Sequence, residues 1–268
     1  MSGVTTRVGW ALRLMAQDLL LVAQQRGELT VYPAQNLRVL GVDAFVTDRF
    51  GGVSAGPYDS LNLAEHVGDD EDHVRENRVR VATAAGVELD RFVTVRQVHG
   101  DRVLDAALVA PGDEADALVS DDPTLAIAIL VADCVPLVLA DESTKRFAVV
   151  HAGWRGLAAG VIARSLDALS PKGTHAFIGP AISKDGYQVG PEVASHFIHI
   201  AGALGADRGD RSRLDLRLVA VHQLLAAGVR DDRIALSREV TDGGSVFFSD
   251  RAQRPCGRFS VVARRAVA

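Results

Sequence analysis

Cysteine is scarce in this chain of 268 residues, which contains only Cys134 and Cys256. Two thiols cannot supply the several disulfides that hold small secreted domains together, so the sequence excludes that class of protein. Reduced thiols are favoured over a single bridge between Cys134 and Cys256. We therefore predict a cytoplasmic protein.

Long apolar runs and an excess of basic residues are also lacking. The apolar stretch 10–22 contains Arg13 and Asp18 and is too short to cross a bilayer, so we predict an amphipathic helix there. Lysine and arginine number 29 against 34 acidic residues, which gives a net charge of −5. Because no basic field would attract phosphate backbones or anionic lipids, we predict neither a nucleic-acid nor a membrane partner.

Segments of strand and helix character follow one another without strict alternation. Strand patterns occupy 40–47, 92–98, 115–119, 125–131, 136–140, 147–151, 175–178, 233–236, 245–248 and 258–263, and helix patterns occupy 70–85, 157–169, 191–201 and 214–227. This order predicts an α+β fold of packed mixed β-sheets flanked by helices rather than a doubly wound parallel sheet. We expect an N-terminal extension, 1–36, followed by one catalytic domain, 37–268.

Three residues in separate stretches carry metal-ligating side chains: His99, Cys134 and His151. Two imidazoles and a thiolate would hold a zinc ion through three bonds and leave a fourth position for water or substrate, as catalytic zinc sites do. The residues are far apart along the chain, so the fold would have to bring them together. Taken singly, each also fits a structural role, as a core thiol or a hydrogen-bonded histidine.

Two arginines are candidate ligands for phosphate. Arg155 precedes a predicted helix, whose free N–H groups would favour an anion, and its guanidinium adds a bidentate donor. Arg49 precedes Gly51-Gly52, where backbone amides can approach a ligand closely. A surface ion pair at Arg155 and an ordinary hairpin turn at the glycines are the alternatives.

Three polar residues complete the candidate site. Asp133 adjoins Cys134, and because an acid is costly in a core, this segment is expected to face a pocket, where Asp133 would transfer protons. His66 lies in the long polar loop 51–70 and is either a proton donor or a group that stabilises the loop. Asn62, in the same loop, is a candidate substrate ligand.

Together these stretches resemble the YfiH family of laccase-domain proteins, once named polyphenol oxidase or multicopper laccase and now linked to purine nucleoside phosphorylase activity. The resemblance spans roughly Leu37 to Val267. It rests on Arg49-Phe50-Gly51-Gly52-Val53-Ser54, Ser60-Leu61-Asn62-Leu63, His66-Val67-Gly68-Asp69-Asp70, Gln97-Val98-His99-Gly100, Ala132-Asp133-Cys134-Val135-Pro136, His151-Ala152-Gly153-Trp154-Arg155-Gly156, Ile178-Gly179-Pro180-Ala181-Ile182 and Phe248-Ser249-Asp250-Arg251.

The resemblance implies a single domain in α/β/β/α layers. It also implies zinc (Zn2+) held by His99, Cys134 and His151, with copper (Cu2+) as the alternative metal. The implied activities are phosphorolysis of adenosine and inosine, cleavage of methylthioadenosine, and adenosine deamination, so that purine nucleosides and phosphate are the partners.

The chain departs from the family pattern at two places. Gly186-Tyr187-Gln188-Val189 stands where the family often has Cys-Tyr-Glu-Val, and Val240-Thr241 stands where it often has Cys-Thr. The three expected zinc ligands are all present. The departures therefore bear on substrate preference rather than on metal binding.

Three other functions fit parts of the sequence. Copper-dependent oxidation of phenols is disfavoured because the eight histidines are scattered rather than clustered in pairs. A cysteine hydrolase or amidase would use Cys134 as nucleophile and a histidine as base. A zinc-stabilised partner protein without turnover is disfavoured because three ligands leave a coordination position open.

Overall fold

The computed structural model describes residues 17–243 and 245–266. The strands in this part of the chain are β1 (Gln17–Leu19), β2 (Gln24–Arg26), β3 (Leu29–Pro33), β4 (Val42–Thr47), β5 (Phe92–Val93), β6 (Val103–Asp105), β7 (Ala117–Ser120), β8 (Ala126–Val131), β9 (Val135–Asp141), β10 (Phe147–Ala152), β11 (Thr174–Ile178), β12 (Gln188–Val189), β13 (Leu204–Ala206), β14 (Ser212–Leu214), β15 (Ile234–Ser237) and β16 (Phe259–Arg265).

The α-helices among the described residues are α1 (Gln35–Arg38), α2 (Glu71–Ala84), α3 (Trp154–Ala159), α4 (Val161–Leu166), α5 (Pro191–Ala194) and α6 (Leu216–Ala226). Short 3-10 helices lie at Gly56–Tyr58, Glu65–Val67, Leu89–Arg91, Ala106–Leu108, Pro171–Gly173 and Asp231–Arg233. Within the described ranges, no helix is long and apolar enough to cross a membrane.

Two mixed sheets form the centre of the fold. The seven-stranded sheet has the order β1-β15-β11-β9-β10-β7-β6, and the six-stranded sheet has the order β2-β3-β4-β16-β8-β5. Each sheet contains both antiparallel and parallel pairs. The short strands β12, β14 and β13 pair with one another in a separate sheet. The predicted α+β class with mixed sheets is confirmed.

Buried side chains show how the layers stack, because alternate residues of a strand point to opposite faces. Val150 of β10 belongs to the core under helices α3, α4 and α6, while its neighbour Val149 belongs to the core between the two sheets. Ile129 of β8 shares that central core, and Leu130 packs on the other side with Val81 of α2. The layers are therefore helices, seven-stranded sheet, six-stranded sheet and helix.

The segment before the predicted domain joins both sheets. β1 pairs in parallel with β15 at one edge, and β3 pairs antiparallel with β4. Leu29 and Val31 of β3 are almost fully buried. The described part of the predicted extension 1–36 thus packs on the rest of the fold, while the division at residue 37 stays a prediction.

Four local predictions were wrong. The strand predicted at 92–98 is limited to the two residues of β5. Residues 17–19 of the helix predicted at 10–22 form strand β1, and 10–16 lie outside the described residues. The helix predicted at 191–201 stops at Ala194 because the chain continues in tight turns, such as His196 N–H to the carbonyl of Val193. Residues 245–248 form no strand.

The helix predicted at 157–169 starts earlier, at Trp154, and is divided. Gly160 adopts a left-handed conformation, with φ of 93°, and its N–H caps the end of α3 by bonding to the carbonyls of Gly156 and Leu157. Glycine alone takes this conformation without strain, so it ends one helix and begins the next.

Asp48, just after β4, is a buried acid that gives the fold a pH-dependent stability. It is 3% exposed, and its Oδ1 accepts a hydrogen bond of 2.8 Å from Phe50 N–H. Burial raises the pKa of Asp48 from 3.8 to about 6, outweighing the hydrogen bonds from Phe50 and Tyr32. The native state therefore binds more protons than the unfolded chain between about pH 4 and pH 6, and the free energy of unfolding falls as pH rises through that window.

We expect Asp48→Asn to remove most of this dependence, because an amide buries no charge and its carbonyl still accepts from Phe50. In urea unfolding, the free energy of unfolding of wild type should fall by about 1–3 kcal/mol more than that of the variant between pH 4.5 and pH 8. Asp90→Asn, at an exposed acid, is the control and should follow wild type. A wild-type pH profile in Asp48→Asn would contradict the assignment.

Candidate metal centre

His99, Cys134 and His151 meet at one end of the sheet sandwich. One ligand atom from each side chain, an imidazole nitrogen or the thiol sulfur, lies within 4.8 Å of the other two. His151 is buried, Cys134 is half-buried and His99 is exposed. The group therefore has a protected side and a side that faces solvent.

Strand register accounts for two of the three positions. β9 and β10 pair antiparallel with His151 opposite Pro136 and Ala152 opposite Val135. Cys134 directly precedes β9, so it lies beside Gly153 at the same end of the pair. Residues two apart on one strand share a face, which brings Cys134 and His151 together as diagonal neighbours.

Asp116, just before β7, holds both histidines of the centre in place. Its fully buried carboxylate accepts hydrogen bonds from His151 Nδ1 at 2.7 Å, His99 N–H at 2.9 Å and Gly100 N–H at 2.6 Å. A carboxylate on Nδ1 holds the proton there and leaves Nε2 of His151 free to bind a metal. Asp116 was not among the predicted site residues.

The backbone around the centre is constrained. His99 has φ of 61° and Asp133 has φ of 84°, in the left-handed region that residues other than glycine rarely adopt. A Cβ on Gly153 would lie 3.0 Å from both Cys134 Sγ and His99 Cδ2. Glycine at this position therefore leaves room for the thiol and the imidazole to approach each other.

These residues fit a metal ion. Two imidazoles and a thiolate are ligands that zinc and copper both accept. The half-buried, partly open group leaves space for a fourth ligand, and Asp116 supplies the hydrogen bond that metal-bound histidines usually make. The donor set and its surroundings thus agree with a catalytic metal site.

Without a metal, the thiol of Cys134 and the imidazole of His151 stabilise each other's charged forms. Burial opposes ionisation of Cys134, but the charge of His151 and hydrogen bonds from His151 and His99 outweigh it and lower the pKa of the thiol to about 6. Burial opposes protonation of His151, but Cys134 and Asp116 outweigh it and raise its pKa to about 9. The site therefore favours a thiolate, the form that binds metals.

Gly153→Ala should weaken metal binding without unfolding the protein. The added methyl group would require Cys134 or His99 to move by several tenths of an ångström, whereas the extended backbone of Gly153, with φ of −74°, suits alanine. We expect the dissociation constant for zinc to rise about tenfold or more, measured by chelator competition. The melting temperature of the metal-free variant serves as the control for folding, and unchanged zinc affinity would contradict the packing argument.

Asp133 is held in place by its neighbours. Its carboxylate accepts from the Thr241 hydroxyl at 2.5 Å and from Arg251 N–H at 2.7 Å, and its carbonyl accepts from Ile182 N–H at 3.0 Å. These contacts tie three separate segments to the residue that precedes Cys134. They indicate a positioning role, while the predicted proton transfer stays a prediction.

Asn62 and His66 lie in the ordered polar loop 51–70. Asn62 is fully buried, and its amide donates to Asp69 and accepts from Arg258 N–H. These bonds organise the loop. Substrate binding by Asn62 stays a prediction. His66 is exposed, and partial burial of its imidazole, followed by the charges of Arg258 and Arg78, lowers its pKa. A role for His66 in proton transfer stays a prediction.

The two predicted phosphate ligands differ in their surroundings. Arg49 donates through Nε to the carbonyl of Asp59 at 2.9 Å, and its guanidinium lies 4.6 Å from the centre of the Phe248 ring. Arg155 is exposed, two residues after Gly153, with its guanidinium 4.3 Å from the centre of the Trp154 ring. Phosphate binding by either residue stays a prediction.

Tyr187 and Arg251 are further residues on this side of the molecule. Burial, followed by the charge of Cys134, raises the pKa of Tyr187 to about 12, while Arg251 and Arg155 act in the opposite direction. Arg251 lies over the Tyr187 ring, with 5.1 Å from its Cζ to the ring centre. Both residues lie within motifs noted in the sequence, but neither was predicted to have a role.

One serine pattern proves to be structural. Gly52-Val53-Ser54-Ala55-Gly56 matches the Gly-x-Ser-x-Gly sequence of serine hydrolases. Ser54 is buried, and its hydroxyl donates to Asp69 at 2.7 Å and accepts from Asn77 at 2.9 Å. It therefore holds the polar loop together and is not placed as a nucleophile.

Comparison with known sequences agrees with these features. Residues 43–265 match the family described as multi-copper polyphenol oxidoreductase laccase. A relative from Mycobacterium tuberculosis named purine nucleoside phosphorylase is 38% identical over 222 residues, covering 80% of this chain and 88% of the relative. Purine nucleoside phosphorylase YfiH from Escherichia coli is 37% identical over 230 residues, covering 82% and 92%.

Solved structures share the fold. YlmD from Geobacillus stearothermophilus superposes with a TM-score of 0.83 at 30% identity, covering 92% of this chain and 100% of that one. A Neisseria meningitidis protein gives a TM-score of 0.79 at 33% identity, covering 85% and 95%. The similarity therefore extends through both sheets and the region of the metal centre.

Proposed function

Because this chain belongs to the YfiH family of laccase-domain proteins, we propose that it is a zinc-dependent purine nucleoside phosphorylase. It would cleave adenosine, inosine and methylthioadenosine with phosphate and would also deaminate adenosine. We place this activity in the cytoplasm, where the thiol of Cys134 stays reduced.

The convergence of His99, Cys134 and His151 carries the proposal. Relatives at 37–38% identity bear the name purine nucleoside phosphorylase, and the present chain keeps a complete set of metal-ligating residues. When bound, zinc would supply Lewis-acid chemistry to the site. The remaining steps are assigned to residues of the chain itself.

Phosphorolysis joins a phosphate oxygen to the anomeric carbon of the ribose as the bond from that carbon to the purine breaks. The purine leaves with the bonding electrons and takes up a proton. Arg155 would hold the phosphate, and His66 would donate the proton or a hydrogen bond to the leaving base. Holding both reactants in line and neutralising charge would supply most of the rate enhancement.

Three further residues would support these steps by holding the surrounding segments in place: Arg49, Asn62 and Asp133. Arg49 keeps the loop against Phe248, and Asn62 holds the same loop around Asp69. Asp133 fixes the segments beside Cys134. Deamination of adenosine would use the same pocket, with water adding to the purine ring and ammonia leaving.

The test is to incubate zinc-loaded protein with inosine, with and without inorganic phosphate. The proposal requires hypoxanthine and ribose 1-phosphate to appear in equal amounts and only with phosphate. Adenosine in phosphate-free buffer should yield inosine if the deaminase assignment is right. Hypoxanthine release that is independent of phosphate would contradict the phosphorylase and indicate a nucleoside hydrolase.

Two observations keep other functions in view. The family description names a multi-copper polyphenol oxidoreductase, but within the described residues one group of three metal-ligating side chains is found. The lowered pKa of Cys134 and its histidine neighbour also suit a cysteine hydrolase or amidase. Oxygen consumption with phenols by the copper-loaded protein, or a trapped acyl-thiol on the metal-free protein, would favour these alternatives.

A further inference from the structure

Arg251 and Tyr187 form a contact pair beside the metal centre. The guanidinium of Arg251 lies over the Tyr187 ring, 5.1 Å from Cζ to the ring centre, and its Nη1 donates to the carbonyl of Gln188 at 3.2 Å. Arg251 is exposed and Tyr187 is half-buried. The pair therefore presents a cation and a phenol at the protein surface rather than within the core.

Asp133 connects this pair to the metal ligands. Its carboxylate accepts from the backbone N–H of Arg251 at 2.7 Å, and its carbonyl accepts from Ile182 N–H at 3.0 Å, in the segment that leads to Tyr187. Because Asp133 directly precedes Cys134, the position of Arg251 is set relative to the thiol.

Charge on this side is positive. Arg155 follows two residues after Gly153, which packs against Cys134 and His99, and the backbone N–H of Arg251 bonds to Asp133, the residue before Cys134. Both arginines therefore lie on the side of the same thiol, and both also lower the pKa of Tyr187. The nearby acid, Asp133, has both carboxylate oxygens engaged in hydrogen bonds. Across residues 17–243 and 245–266, no hydrogen-bond partner of the Tyr187 hydroxyl is found, which leaves this donor for a ligand.

Two arginines and a phenol offer several hydrogen-bond donors, of which Nη1 of Arg251 already bonds to the carbonyl of Gln188, and the remaining donors suit an oxyanion. Arginine binds phosphate in a bidentate manner, and a tyrosine hydroxyl adds a third hydrogen bond. We propose that Arg251 and Tyr187, together with Arg155, bind the inorganic phosphate that attacks the nucleoside. This inference rests on the proposed function and assigns one side of its substrate site.

The assignment also limits the geometry of the reaction. Phosphate held here keeps its charge neutralised while one of its oxygens forms the bond to the anomeric carbon. The bond to the purine breaks on the opposite side of that carbon, and its electrons leave with the base. The purine would then lie on the side of the anomeric carbon that faces away from Arg251.

The test compares Arg251→Gln and Tyr187→Phe with Arg254→Gln in zinc-loaded protein. Arg254 is an exposed neighbour paired with Asp250, and its variant should behave as wild type. We expect the KM for phosphate to rise about tenfold or more in Arg251→Gln and severalfold in Tyr187→Phe, with the KM for inosine within about twofold of wild type. A rise in the KM for inosine alone would overturn the assignment by placing the pair at the purine.

Phosphate binding is measured separately, by calorimetric titration of the zinc-loaded proteins with inorganic phosphate. Wild type and Arg254→Gln should bind phosphate, and Arg251→Gln should bind it about tenfold more weakly. If wild type binds in this way but does not release hypoxanthine, the phosphate site stands and the phosphorylase function fails. Equal binding by wild type and Arg251→Gln, or no binding by either, would overturn the phosphate site.

Discussion

Cys134→Ala is expected to abolish both metal retention and phosphate-dependent cleavage of inosine. The thiol is the single sulfur in the group, and two histidines alone cannot hold a zinc ion tightly. Loss of a residue that hydrogen-bonds to a metal ligand weakens metal binding by roughly 10–100-fold. Removing the ligand itself should weaken zinc binding by more than this. Elemental analysis after gel filtration, together with hypoxanthine release, measures the two losses on one sample.

Cys256→Ala is the matched control. Cys256 is buried, 2% exposed, in the core between the sheets and is not among the metal-ligating residues. Its variant should keep one zinc per chain and wild-type turnover, even if it melts at a lower temperature. Full activity in zinc-free Cys134→Ala would remove the metal from the mechanism.

Asp116→Asn should have the second largest effect, although Asp116 touches neither metal nor substrate. The wild-type carboxylate accepts from His151 Nδ1 and from the backbone N–H groups of His99 and Gly100. An asparagine has one acceptor oxygen, and its amide nitrogen would have to face one of these donors. The result is either an unpaired buried donor or a His151 tautomer whose Nε2 carries the proton and cannot bind metal.

We expect zinc affinity to fall about 10–100-fold in Asp116→Asn, measured by competition with a chelator. Asp101→Asn is the control, because Asp101 is an acid near His99 that pairs with Arg164 at the surface, 3.6 Å away. Turnover at saturating zinc should recover in part if Asp116 only positions the ligands. An unchanged zinc affinity would contradict the role assigned to the carboxylate.

The layers of the fold were largely predictable because both faces of the central strands are buried. Segments such as 125–131 and 147–150 are continuously apolar, and their strands β8 and β10 have only buried residues. The strands of the extension were harder to predict. β1 consists of Gln17, Asp18 and Leu19 and depends on its partner β15 rather than on an apolar pattern.

The ligand residues could be proposed from the sequence, but their meeting depends on contacts between distant segments. The register of β9 and β10 explains Cys134 and His151, since these strands are joined by a short connection. His99 is placed by Asp116, and no local pattern around His99 indicates that contact. The signal available was an acid inside an apolar segment, Ala115-Asp116-Ala117, which is costly to bury unless it is hydrogen-bonded.

The residues around the ligands were predicted less well. Asn62 is a polar residue in a family motif, and only the structure shows that its amide is used within the loop. Arg251 lies far from Cys134 along the chain, and its place beside the site depends on the carboxylate of Asp133. Sequence position alone cannot separate a residue that binds substrate from one that holds such a residue in place.

X-ray absorption at the zinc edge of the loaded protein tests the metal centre most directly. We predict one sulfur at about 2.3 Å and two imidazole nitrogens at about 2.0–2.1 Å, with a lighter fourth ligand. Cys134→Ala should lose the sulfur signal, and Cys256→Ala should keep it. A first shell without sulfur in the wild-type protein would contradict a centre built from His99, Cys134 and His151.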